Sequence, residues 1–199
     1  MRNQWMGEGG LWDTESYQQN KKENFEILDK FLVTPPMKIL DIGCGLAWES
    51  RLFNEKYNSE LWLLDGDTRD NESKSSKARA EKYHISADEF LFYHPLSEVD
   101  TELKKLGTKN YHLIDCNNID ISEDVKFDLI TSCVSCGFHY PVNTYRDLIL
   151  KHSHADTRVV MDLRVMYKKT NMPEREDGVE ILKVIAQRKK FIMAELKLS

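Results

Sequence analysis

Residues 38–50 read KILDIGCGLAWES, a short apolar run that stops at an aspartate and is followed by two glycines one residue apart. The chain has only nine glycines, so a pair placed where an apolar run ends carries information. Glycine after a strand lets the backbone turn with positive φ and come close to a ligand or a neighbouring segment. The stretch that follows, AWESRLFNEKY (47–57), carries Trp48, Leu52 and Phe53 at helical spacing. A buried strand, a glycine turn and a helix in that order form the entry unit of an α/β sheet.

The rest of the chain repeats this alternation. YQQNKKENFEILDKFL (17–32) places Phe25, Leu28, Phe31 and Leu32 on one face of a helix that Pro35-Pro36 terminates. ELWLLDGD (60–67) reads as a second strand, YHLIDC (111–116) as a third, FDLITSC (127–133) as a fourth and TRVVMDLR (157–164) as a fifth. LSEVDTELKKLG (96–107) predicts a connecting helix that stops at Gly107, and NTYRDLILKHSH predicts another. Segment 68–90, rich in serine and mixed charge, reads as an insertion: a mobile loop with a short helix at 75–83. GVEILKVIAQ and KKFIMAELKL are β-capable runs about a basic turn at Arg188–Lys190, and they predict an antiparallel hairpin at the sheet edge. A single helix over 179–197 fits the same apolar spacing. The expected fold is a doubly wound α/β sheet, mostly parallel, with helices on both faces and one domain over residues 1–199.

Composition narrows the function classes. A formal charge of −5 disfavours a general nucleic-acid binder, which needs a basic surface to displace counterions from phosphates. The N-terminus, MRNQWMGEGGLWDTES, lacks the apolar core of a secretory signal, and no run approaches the ~20 apolar residues that span a bilayer. A cytoplasmic setting with free thiols follows as the expectation. Cys133 and Cys136 form a lone C-x-x-C without the second knuckle of a four-cysteine zinc site, so small residues in tight turns is the better reading and no metal is expected.

In such sheets ligands bind beyond the carboxyl ends of the strands, at the point where strand order switches. Acids and glycines gather at those ends here. Asp41, Gly43 and Gly45 follow the first strand, Asp65 ends the second, Asp115 the third, and Ser132 and Cys133 the fourth. An ordinary tight turn would explain the glycine pair alone. The acid 20 residues past Gly45 suits hydrogen bonds to a ribose diol and points to a nucleoside-bearing cofactor. A dinucleotide site requires G-x-G-x-x-G, and the third glycine position is Trp48. Asp41 adds negative charge beside the turn, unhelpful to pyrophosphate but apt for an amino or sulfonium group. No G-K-[ST] follows, which removes a P-loop.

ILDIGCGLA resembles motif I of the class I S-adenosylmethionine-dependent methyltransferases, D/E-x-G-x-G-x-G, with Ala47 in the place of the third glycine. The resemblance runs from about Lys38 to Leu163, and the terminal hairpin is similar to that family's sixth and seventh strands. It implies a Rossmann-like fold with S-adenosyl-L-methionine as cofactor and residues 1–34 as an N-terminal helical lid, to which Trp5, Trp12 and Tyr17 would contribute. It also implies that Asp41, Gly43 and Gly45 border the methionine part and that Asp65 holds the ribose diol while Gly66 lets the adenosine pass. Asp115 would meet the adenine amino group, and Cys116 a ring nitrogen through its backbone N–H. FDLITSCVSCGFHY resembles motif IV, with Ser132 and Cys133 flanking the donor.

Methyl transfer from a sulfonium releases a neutral thioether, so the leaving group needs no acid and alignment does most of the work. An oxygen or nitrogen acceptor also calls for a base. His139, just past the fourth strand, is the leading candidate because its ordinary pKa lies near working pH, and Tyr140 is placed to hydrogen-bond the acceptor or to pack over it. The chain lacks the [N/D]-P-P-[Y/F] motif of the DNA-amino methylating members. A small or medium-sized acceptor, with a hydroxyl preferred, is the expected partner, and nucleic acid and membrane are disfavoured. Three alternatives stay open: a donor-binding protein without turnover, a nucleic-acid or protein methyltransferase, and a nicotinamide oxidoreductase.

Overall fold

A computed structural model describes residues 15–66, 96–164, 177–188 and 191–199. Its strands are β1 (Lys38–Ile42), β2 (Glu60–Asp65), β3 (Tyr111–Asp115), β4 (Leu129–Ser132), β5 (Ser135–Tyr140), β6 (Arg158–Arg164), β7 (Val179–Gln187) and β8 (Phe191–Leu198). Its helices are α1 (Glu15–Phe31), α2 (Trp48–Tyr57), α3 (Leu96–Lys105) and α4 (Arg146–Lys151), the last preceded by a 3-10 turn at Val142–Tyr145. The expected insertion at 68–90 lies outside the described residues, as do Trp5 and Trp12.

Seven strands form one sheet in the order β3-β2-β1-β4-β6-β8-β7. β1 pairs in parallel with β2 and β4, which makes the β1/β4 boundary the point where strand order switches. β8 runs antiparallel between β6 and β7, so the hairpin is present and β7 is the edge. The helix reading of 179–197 is overturned: Val179–Gln187 pairs antiparallel with β8 as a strand. The bulges between Ile181 and Lys183 and between Val184 and Ala186 absorb the remaining irregularity.

The period of two divides the core into two layers. Ile39, Leu61, Leu63, Leu129 and Val160 face α1, α2 and α3, where Phe25, Leu28, Phe53, Val99 and Leu103 are buried against them. Leu40, Ile42, Leu64, Ile130 and Met161 point the other way, onto Val142 and Ile149. The Phe25 and Phe53 rings meet edge to face at 4.8 Å and lock α1 to α2.

The segment after β4 departs from expectation. Between the fourth strand and the helix expected in NTYRDLILKHSH the chain forms a strand the sequence does not predict, β5, followed by the 3-10 turn and a helix of only six residues. Gly137 lies so close to β6 that a Cβ there would meet Leu163 Cδ2 at 2.8 Å and the Asp162 carbonyl at 3.2 Å. That approach holds the segment extended.

Candidate active site

The two glycines of the first turn have different neighbours. Gly43 and Gly45 take φ of 71° and 52°, and the Gly43 N–H donates to the Leu64 carbonyl at 2.7 Å. A Cβ on Gly43 would overlap the Ser135 side chain, so this glycine makes room for the start of β5. Gly45 has nothing from the described residues within 4 Å of the place where a Cβ would stand, and its side of the turn is open. Ala47 adopts the left-handed conformation, φ 52°, that the third glycine would take, and its methyl is buried in the α1/α2 layer. The substitution therefore leaves the open side of the turn unchanged.

Asp65 ties the turn to β2. Its Oδ2 accepts the Gly45 N–H at 2.6 Å and its Oδ1 accepts the Gly66 N–H at 2.7 Å. Such a carboxylate is fixed in place by the two donors. Asp115 stands opposite Asp65 in register, and its Oδ1 accepts from the Asn117 N–H and Nδ2 at 2.9 and 3.0 Å. The Cys116 N–H, expected to meet a ring nitrogen, instead donates to the Asp65 carbonyl at 2.8 Å, because it continues the β2–β3 ladder by one residue.

At the end of β4, Ser132 is fully buried and acts as a staple. Its hydroxyl donates to the Ile42 carbonyl at 2.6 Å and accepts the Cys136 N–H at 2.8 Å, joining β1 to β5. Cys133, on the opposite face, is half-buried, and burial followed by the nearby Glu49 and Asp162 carboxylates pushes its thiol up. His139 and Tyr140 end β5, and their side chains lie outside the described part of the structure. None of the four cysteines forms a disulfide, and among the described residues no group of acids, histidines and cysteines is arranged to hold a metal ion.

Beneath the turn lies an acidic cluster that sequence reasoning did not assemble. Asp41 is buried, and its Oδ2 accepts from the Ser50 hydroxyl at 2.5 Å. Burial, opposed by this bond and reinforced by Glu49, pushes the Asp41 carboxyl up to about 7. Glu49 is buried as well, held by Lys21 Nζ at 2.8 Å and Asn24 Nδ2 at 3.3 Å from α1. Asp162 on β6 accepts the Val134 N–H at 3.1 Å on Oδ2, and burial together with Glu49 raises its carboxyl to about 7. Val134 itself has φ 59°, an outlier for a β-branched residue, so the turn after β4 is strained where it meets this acid. The available signals were an aspartate inside the apolar run VVMDLR and a glutamate in the first turn after the glycines.

A nucleoside donor bearing a positive sulfur needs an anchored carboxylate, backbone approachable without a Cβ, and negative charge nearby. Asp65, Gly45 and the Asp41–Glu49–Asp162 group match those needs, and the residues present fit the donor. The chain has the fold of S-adenosylmethionine-dependent methyltransferases. It is similar to the ribosomal protein L11 methylase of Lactobacillus delbrueckii subsp. bulgaricus at TM-score 0.54 and 11% identity, over 98% of this chain and 84% of that one. A methyltransferase from Pyrococcus furiosus aligns at TM-score 0.57 and 15% identity, covering 89% of this chain and 82% of the other. The magnesium protoporphyrin IX methyltransferase of Synechocystis PCC 6803, solved with S-adenosylmethionine bound, aligns at 0.52 and 12%, covering 92% and 80%. No protein-family model matches the chain, and no curated protein matches it in sequence. Among the described residues no helix is long and apolar enough to cross a membrane.

Proposed function

We propose that this protein transfers a methyl group from S-adenosylmethionine to a hydroxyl of a small or medium-sized acceptor. The observation that carries the reading is the Asp65 carboxylate bridging the Gly45 and Gly66 N–H groups beside the open side of Gly45. In this reading Asp65 receives the ribose diol, Gly66 borders the adenosine, and Asp115 meets the adenine amino group through Oδ2, the oxygen that its own turn leaves unused. Asp41, Gly43 and Gly45 border the methionine part, and Cys133 flanks the donor while Ser132 holds β1 and β5 at fixed spacing. When bound, the donor supplies a methyl on a positively charged sulfur that becomes neutral on transfer. His139 takes the acceptor's hydroxyl proton as general base, and Tyr140 orients that hydroxyl. Cysteines that form no disulfide suit a cytoplasmic setting.

The test is release of S-adenosylhomocysteine across a panel of hydroxyl, amine and thiol acceptors. Turnover on a hydroxyl compound that His139→Ala abolishes without weakening donor binding is the expected result. Saturable donor binding with no product from any acceptor would reduce the protein to a donor-binding module.

A further inference from the structure

The proposed reaction gives buried Asp162 no contact of its own with the donor or the acceptor. Asp41 stands opposite Thr131 in the β1–β4 register and Thr131 opposite Val160 in the β4–β6 register, so Asp162, two residues beyond Val160, lies on the same face. That face is covered by α1 and α2, which bring Lys21 and Glu49 to it. Asp162 is 1% exposed, and its Oδ1 has no hydrogen-bond partner. Thr131 Oγ1, also buried, has none either. Native interiors rarely leave a carboxylate oxygen unmatched, and an acceptor held ready in a closed site points to a ligand that supplies the missing charge.

Resting on the donor reading above, we propose that Asp41, Glu49 and Asp162 form an anionic floor that senses the charge on the donor sulfur, so that S-adenosylmethionine binds with release of a proton and the uncharged product does not.

The charges facing these groups can be enumerated among the described residues. Asp162 faces Glu49 from α2, Lys21 from α1 and Arg188 from the end of β7, besides the Val134 N–H. Asp41 faces the Ser50 hydroxyl and Glu49 from α2, Lys21 from α1 and Asp65 from β2. The Cys44 and Cys133 thiols nearby are held neutral by burial and by the same acids. Lys21 makes contact with Glu49, whereas Arg188 donates to Asn24 Oδ1 at 3.5 Å and pairs with Glu23 at 3.8 Å, touching none of the three acids directly. Three carboxylates thus share one close cation, and burial keeps a proton on the group near neutrality. A positive sulfur arriving beside Cys133 favours the ionised form: one carboxyl O–H bond breaks, the proton passes to the buffer, and the carboxylate keeps the electron pair. The proton belongs to the coupled group rather than to one residue. After methyl transfer the sulfur is neutral, the carboxylate is again uncompensated and takes a proton back, and the charge attraction that favoured the donor is gone.

The experiment is calorimetric titration of the full chain with S-adenosylmethionine and, separately, S-adenosylhomocysteine, from about pH 5.5 to about pH 8 in buffers of different ionisation enthalpy. Donor affinity should rise with pH by up to about tenfold per unit below the free group's midpoint, with up to about one proton released. Product affinity should show neither effect. Taking the ratio of the two affinities cancels titrations common to both ligands, so the wild-type protein alone decides, and Asp162→Asn should flatten the slope further. A ratio constant with pH, or equal proton release for both compounds, overturns the inference and leaves the donor site intact. Binding of neither compound at any pH removes the donor reading and this inference with it.

Discussion

Gly43 and Gly45 stand two positions apart in the motif and have different surroundings. Alanine at 43 meets Ser135 and must also adopt φ 71°, so Gly43→Ala should cost about 2–4 kcal/mol in urea unfolding. Alanine at 45 meets only the conformational penalty, about 1 kcal/mol, yet it places a methyl on the open side of the turn and should weaken donor binding. Asp162 makes a prediction of opposite character. Its carboxyl is pushed up by burial to about 7, so the folded state holds a proton that the unfolded chain has released. This contribution to stability is fully present below the ordinary carboxylate range and is lost as pH rises through about 7. Asp162→Asn keeps an acceptor for the Val134 N–H and removes the titration, so its stability relative to wild type should increase from pH 5 to pH 8 in urea unfolding. A relative stability that does not change with pH would contradict the assigned burial cost.

Among the elements, the four parallel strands β1 to β4 were legible because each apolar run stops at a polar residue, and that placement follows from one face of the ladder ending where the ligand side begins. The terminal hairpin was legible only as one of two options, since Ile181, Val184 and Ile185 fit a helical stripe within runs that are also β-capable, until pairing with β8 decides. β5 was not legible. SCGFHYP carries a glycine and a proline at loop positions, and what holds it extended is close packing on β6 together with the Ser132 staple. Those contacts are long-range and leave no local pattern. For the same reason the Asp41–Glu49–Asp162 group was invisible: its members come from β1, α2 and β6 and meet only after the sheet forms. Ser132→Ala tests the staple. It removes the Ser132 acceptor from the Cys136 N–H and a donor from the Ile42 carbonyl, and it should cost about 1–3 kcal/mol with a lowered Tm. An unchanged Tm would assign β5 to packing alone.

Over the molecule as a whole, sheet order places the glycine turn, Asp65 and the end of β4 at one switch point, with α1 and α2 closing the acidic face. A hollow of about 450 Å³ beside Glu60, Asn110, Tyr111 and His112 lies at the opposite ends of β2 and β3, away from these groups. There His112 stacks on Trp62 at 4.1 Å and pairs with Glu60 at 2.9 Å, a surface contact with no open carboxylate to offer a ligand. The proposed donor site is at the other, carboxyl ends of these strands. The most direct measurement is calorimetric titration of the wild-type chain and Asp65→Ala with S-adenosylmethionine, with NADH as the competing candidate. The account predicts one saturable site in the wild type, weakened at least about 30-fold by Asp65→Ala through loss of charge-assisted hydrogen bonds worth roughly 2 kcal/mol or more, and no binding of NADH. Equal affinity of Asp65→Ala for the donor, or a preference of the wild type for NADH, would contradict it.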